Sequence, residues 1–83
     1  MSSINIYGTD ECEDTQHTRQ HLDTLGIPYD YINIEQDPDA ANWVRHHNEG
    51  SEKTPTVDVD GLVLTMPSDD ELDEVLRSEG LLS

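Results

Sequence analysis

The stretch Ile4-Asn5-Ile6-Tyr7-Gly8-Thr9-Asp10-Glu11-Cys12-Glu13-Asp14-Thr15 decides the fold. Ile4 and Ile6 alternate with Asn5 and Tyr7, the period of two that a half-buried strand requires, and Gly8 marks the exit of that strand. Beyond Cys12 the spacing lengthens: Thr15, Thr18, Leu22 and Leu25 fall on one stripe of a helix expected from Glu13 to Leu25, closed by Gly26 and Pro28. Cys12, the one cysteine of the chain, therefore lies in the bend between a strand and a helix. The fourth position of Cys12-Glu13-Asp14-Thr15 is a threonine, so no second thiol can resolve a disulfide within the motif. Any thiol chemistry here needs an outside partner.

Downstream, Tyr29 to Ile34 is rich in strand formers and predicts a second strand. Asp37-Pro38 gives an N-cap followed by proline at the first helical position, so a second helix should run to about His47 with Ala40, Ala41, Val44 and Trp43 on its apolar side. Val57 and Val59 alternate before Asp60-Gly61, a type I′ hairpin signal, and Leu62-Val63-Leu64 returns. Ser68 with Glu71 makes a capping box for a last helix carrying Leu72, Val75 and Leu76. The order β-α-β-α-β-β-α has neither repeat nor linker. Its first β-α-β predicts a right-handed parallel crossover, and the hairpin makes the later pair antiparallel. The expectation is an α/β thioredoxin-like fold: one domain over residues 1–83, a four-stranded mixed sheet with helices on both faces.

Size and charge bound the function. A chain of 83 residues buries about 60–65% of its unfolded surface, enough for one modest core. One cysteine excludes a disulfide framework and a multi-thiolate zinc finger, and a reducing cytoplasm suits an unpaired thiol. Met1-Ser2-Ser3-Ile4 has neither a basic region nor an apolar run, so neither secretion nor membrane insertion is expected. Nineteen acidic residues face four Lys and Arg, a net charge of −15 that repels nucleic acid and anionic membranes. The periodicity of the apolar residues argues against disorder. Adaptation to high salt is the expectation, since at about 1 M the Debye length is only ~3 Å, and the alternative is an ordinary acidic domain that tolerates its charge.

The chain resembles the glutaredoxin family over nearly its whole length. The resemblance is carried by Ile6-Tyr7-x-Thr9-x-x-Cys12, Tyr29 to Ile34, Thr54-Pro55-Thr56-Val57 and Thr65-Met66-Pro67-Ser68. Within the family it looks most like the short mycoredoxin-type and ribonucleotide-reductase-associated redoxins. Those relatives usually carry C-x-x-C where this chain has Cys12-Glu13-Asp14-Thr15, and the C-G-F-S motif of the iron–sulfur-binding branch is missing. The resemblance implies a cytoplasmic thiol–disulfide oxidoreductase, working as a monomer by a monothiol cycle. Its reductant would be a low-molecular-weight thiol, glutathione or an analogue, and its substrates thiolated proteins, with no metal. The rival from another class is a redox-inactive binding module that keeps the fold as a docking surface. A third, an iron–sulfur carrier, would need two chains and two small thiols around one cluster.

The residues set out the candidate site. Cys12 at a helix start gains from unpaired N–H groups and the helix dipole, which favour the thiolate, the reactive form. Asp10, Glu11, Glu13 and Asp14 are expected to oppose it and to push the thiol pKa up. Thr15 stands where a resolving cysteine would be, either donating to the sulfur or only packing. Thr9 occupies the position at which the family has a positive residue. The resemblance implies a cis Thr54-Pro55 bond that turns the backbone of Thr54 toward a peptide-like thiol; taken blindly, the residues equally allow a trans proline at a strand edge. It also implies that Ser68, Asp69 and the helix start behind them bind a γ-glutamyl group, while helix capping explains the same residues. His17 and His21, four apart, have a metal-binding spacing but read better as a solvated helix face. His46 and His47 suit the dipole at the end of their helix.

Overall fold

Alternation along the first strand sorts its side chains between two layers. In this computed structural model, which describes residues 4–82, β1 runs Ile4–Gly8 with Ile4, Ile6 and Gly8 buried and Asn5 and Tyr7 half-buried. The remaining elements follow in the expected order: α1 Glu13–Leu25, β2 Asp30–Asn33, α2 Pro38–His47, β3 Thr56–Val59, β4 Leu62–Thr65 and α3 Asp69–Ser78. β2 is shorter than the sequence suggests: Tyr29 precedes it, and the chain turns at Ile34, whose N–H still donates to the Gly8 carbonyl at 3.0 Å.

The sheet order is β2-β1-β3-β4. β1 and β2 are parallel, with Ile6 opposite Tyr31 and Gly8 opposite Asn33; β1–β3 and β3–β4 are antiparallel. Asp60 (φ 54°) and Gly61 (φ 98°) both adopt positive φ, which a two-residue type I′ turn demands. The right-handed twist of the two strands selects that turn.

The two faces bury different side chains. Ile4, Ile6, Val57 and Val59 meet Leu22 of α1 and Leu72 and Leu76 of α3 in the larger cluster. On the opposite face Ala40, Ala41 and Val44 of α2 close over Ile34, with Tyr7, Ile32 and Trp43 at the margin. Burying each of the fully enclosed residues Ile6, Leu22, Val57, Leu72 and Leu76 contributes about 1.5–3 kcal/mol before entropy is counted. Trp43 stacks on Tyr7 at 4.4 Å and tilts against His47 at 4.2 Å, so His47 leans on an aromatic wall as well as on the helix dipole.

Gly8 lets α1 approach the sheet. A Cβ there would lie 2.9 Å from the Thr15 Cβ and closer still to its branches, so any other residue would lever the start of the helix away. Cys12 is thereby brought to the end of the sheet where the Thr54-Pro55 loop also lies.

Candidate active site

Cys12 is the N-cap of α1, with extended backbone (φ −81°, ψ 115°), and its sulfur makes no capping bond to a helix N–H. Its own N–H donates to the Thr9 carbonyl at 3.3 Å, closing the turn. Across the site, the Thr54–Pro55 peptide bond is cis. The Thr54 hydroxyl donates to Cys12 Sγ at 3.3 Å, and the thiol in turn points at the Thr54 carbonyl, 3.7 Å away. Pro55 and Thr56 are fully buried beneath this contact, and the Pro55 carbonyl accepts from the Met66 N–H at 2.8 Å, tying the loop to the end of β4.

The thiol pKa lies below its ordinary value of 9.0. Burial pushes it up, but the Thr15 and Thr54 hydroxyls and the N–H groups of Thr15 and Asp14 pull it down by more. Thr15 is fully buried, and its hydroxyl has no partner of good hydrogen-bond geometry among the described residues. The weight therefore rests on Thr54, whose hydroxyl is within reach of the sulfur. The expectation that the acidic neighbours raise the pKa is not met: Asp10, Glu11, Glu13 and Asp14 are all exposed, and none of their charges figures among the causes of the shift. Water screens Glu11, Glu13 and Asp14 more strongly than it does the short contacts at the sulfur, and the Asp10 carboxylate accepts from the Tyr31 hydroxyl at 2.8 Å.

Ser68 and Asp69 occupy the start of α3. Ser68 accepts from the Glu71 N–H at 3.2 Å, and Glu71 reaches back to the Ser68 N–H at 3.3 Å, completing the capping box. The Asp69 carboxylate is held by His17 Nε2 at 2.9 Å. His21 Nε2 meets Asp73 at 2.7 Å, with its other ring nitrogen 3.9 Å from Asp69. The two histidines thus bridge α1 to α3: His17 keeps the solvated face expected of it, its side chain 65% exposed, whereas His21 at 18% is largely covered. The i, i+4 spacing that put them on one side of α1 is matched by Asp69 and Asp73 on α3. Among the described residues no cluster of His, Cys, Asp and Glu has the geometry to hold a metal ion.

Thr9 is half-buried, and its carbonyl, rather than its side chain, enters the site's bonding. Residues that the sequence reading passed over surround it: Gln16 Nε2 donates to the carbonyls of Thr9 (3.3 Å) and Asp10 (3.2 Å), and Tyr31 donates to the Asp10 carboxylate at 2.8 Å. A depression of about 410 Å³ lined by Asn42, Arg45, His46 and Gly50 contains none of the thiol-site residues.

The glutaredoxin family model matches residues 4–64, from the first strand through the cysteine bend to β4. The chain belongs to the glutaredoxin family. This glutaredoxin is 40% identical to mycoredoxin 1 of Corynebacterium glutamicum over 57 residues, 69% of this chain and 70% of that one. Its fold is shared by the solved NrdH-redoxin of Escherichia coli (TM-score 0.76, 23% identity, covering 88% of this chain and 93% of that one). A buckwheat glutaredoxin solved as its glutathione complex is also similar (TM-score 0.67, 20% identity, covering 98% of this chain and 73% of that one). The family is one of thiol–disulfide oxidoreductases that use glutathione-type thiols. No helix among the described residues is long and apolar enough to cross a membrane.

Proposed function

We propose that this glutaredoxin reduces mixed disulfides between proteins and a low-molecular-weight thiol by a monothiol cycle through Cys12. The observation that carries the reading is the sulfur itself. It sits uncapped at the start of α1, 3.3 Å from the Thr54 hydroxyl, with its pKa drawn below 9.0. The Cys12 thiolate attacks the small-thiol sulfur of the mixed disulfide. A new disulfide forms between Cys12 and the small thiol, the original one breaks, and the protein substrate leaves as a thiolate that takes up a proton. A second small-thiol molecule, as thiolate, then attacks the adduct. It leaves as the symmetric small-thiol disulfide and returns Cys12 to its starting form. Over the cycle the incoming small-thiol sulfur is oxidised from thiol to disulfide and the substrate protein's sulfur is reduced from disulfide to thiol, while Cys12, the one cysteine of the chain, ends as it began.

In this reading Thr54 steadies the attacking sulfur, and Thr15 adds to that effect from the first turn of α1. Pro55 and Thr54 present the backbone edge on which the cysteinyl part of the ligand lies. Thr9 borders the ligand on the α1 side, and Ser68 and Asp69 border it at the start of α3. Asp69 is available to a ligand ammonium once His17 yields it. The reading takes the chain as one domain working as a monomer in a reducing cytoplasm, its charge of −15 suited to high salt.

Intact mass of the protein in high salt, after exposure to disulfides of glutathione, mycothiol, bacillithiol and γ-glutamylcysteine, tests it. A single adduct on Cys12, removed by the matching reduced thiol, is the expected result and names the thiol. A folded protein with a free thiol that forms no adduct points instead to the binding module.

A further inference from the structure

We infer that Asp10, Gln16, Arg19 and Tyr31 form a clamp that positions the turn carrying Cys12 and holds the Asp10 charge away from the sulfur, with Tyr31 as its key positioning residue. The inference rests on Cys12 being the reactive thiol. Four contacts close a ring through three elements. From α1, the Gln16 amide donates to the carbonyls of Thr9 and Asp10 at 3.3 and 3.2 Å. The Gln16 amide oxygen accepts from Arg19 Nη1 at 3.1 Å, which fixes which end of the amide faces the turn. The Arg19 guanidinium carbon lies 4.0 Å from the centre of the Tyr31 ring, a cation–π contact reaching to β2. Tyr31 donates to Asp10 Oδ1 at 2.8 Å and returns to the turn. Its pKa is pushed up to about 12 by burial and by Asp10, so the phenol keeps the proton it donates.

Residue 10 is thus gripped twice, by its carbonyl and by its carboxylate, two positions before the sulfur. Disulfide attack needs the sulfur placed within about 3–3.5 Å of its target and in line with the breaking bond, so a turn that sways loses rate. The ring also answers the absence of a cation at Thr9. Arg19 is one of only four Lys and Arg in the chain, and it stands behind the turn on Gln16 and the Tyr31 ring, the two side chains that grip residue 10. A carboxylate engaged by a phenol repels a thiolate less than a free one does.

Alkylation of Cys12 by neutral iodoacetamide, followed by intact mass from pH 5 to 10, reads the sulfur without any small thiol; the S–C bond forms as iodide leaves. Tyr31→Phe is expected to move the midpoint upward by about half a unit, slowing alkylation about threefold at neutral pH. Asp10→Asn added to Tyr31→Phe should restore the wild-type midpoint, because the released charge is then gone. Gln16→Ala should slow alkylation at every pH with the midpoint unmoved, since it loosens the turn without freeing a charge. Asp10→Asn alone, which leaves Tyr31 an acceptor, should move the midpoint little.

A Tyr31→Phe profile superimposable on wild type, or a double variant that is not restored, overturns the clamp. Should Tyr31→Phe fail to fold by thermal melting, the Asp10→Asn variant decides: a large downward midpoint shift means that the carboxylate was never neutralised. A wild-type protein that takes up no alkyl group removes both the clamp and the reading of Cys12, whereas normal wild-type alkylation with unresponsive variants removes the clamp alone.

Discussion

The helix starts of α1 and α3 follow opposite rules. α3 is sealed by its own residues: Ser68 and Glu71 exchange hydrogen bonds, and Asp69, Asp70 and Glu71 set three carboxylates in the first turn. α1 begins with a cysteine that makes no capping bond, although Glu13 and Asp14 match the acidic first turn of α3. A serine at that position would satisfy a helix N–H and end the matter. The difference teaches where this chain forgoes local stability, by leaving a helix start unsealed beside the one atom that can react.

Exchanging the rules at α1 gives the largest effect. Cys12→Ser should abolish disulfide adducts entirely, while its hydroxyl caps α1 and raises stability by about 0.5–1 kcal/mol, a few degrees in melting temperature. A Cys12→Ser protein that melts below wild type would break the comparison, because the thiol would then be supporting the helix start.

Gly8→Ala probes what keeps the open start in place. Its Cβ would overlap the Thr15 side chain, so denaturant titration should show a loss of about 1–3 kcal/mol. Alkylation of the variant should also slow as α1 is pushed from the sheet.

Ser68→Ala removes the seal from α3 and should cost about 1 kcal/mol by thermal melting. The Cys12 alkylation midpoint should stay where it is, since neither partner in the capping box touches the sulfur. A midpoint that moves would mean the two starts are coupled.

The smallest effect is on the pH dependence of stability. Because the folded thiol pKa is lowered, folding favours the thiolate. Its contribution is fully present above the unfolded value of 9.0 and is lost as pH falls through the lower folded value. Wild type should therefore gain on Cys12→Ser as pH rises toward 9, in denaturant midpoints measured at several pH values. Thr54→Val should flatten that gain by removing the hydroxyl at 3.3 Å.

Nearly all of the fold could be read from the chain, because its signals are local. The Ile4–Ile6 alternation, the Asp37-Pro38 cap, Asp60-Gly61 and the Ser68–Glu71 box each fix an element within a few residues of themselves. The site was legible only in part. The approach of Thr54 to Cys12 joins positions 42 apart and was reached through family likeness rather than spacing. The grip of Tyr31 on Asp10 joins β2 to the cysteine turn across 21 positions, and no periodicity announces it. The bridging by His17 and His21 was missed for a similar reason. Their partners lie on α3, 52 residues away in each direct pair, and a helix seen alone shows only which side its residues share. The acidic residues around Cys12 misled in the opposite direction, since sequence proximity counts charges without saying which of them face water.

A sheet ordered β2-β1-β3-β4 has two unpaired borders, one along each outer strand. On the β4 side the border carries Leu62, about half exposed, in a strand of four residues. Such a border is a template for a neighbouring molecule to extend, and two features oppose it: four residues offer few backbone bonds, and copies bearing −15 keep one another at a distance. Salt near 1 M shrinks that distance to about 3 Å and leaves brevity as the main guard. The shortness of β4 therefore helps to set how concentrated the protein can become before its sheets begin to join.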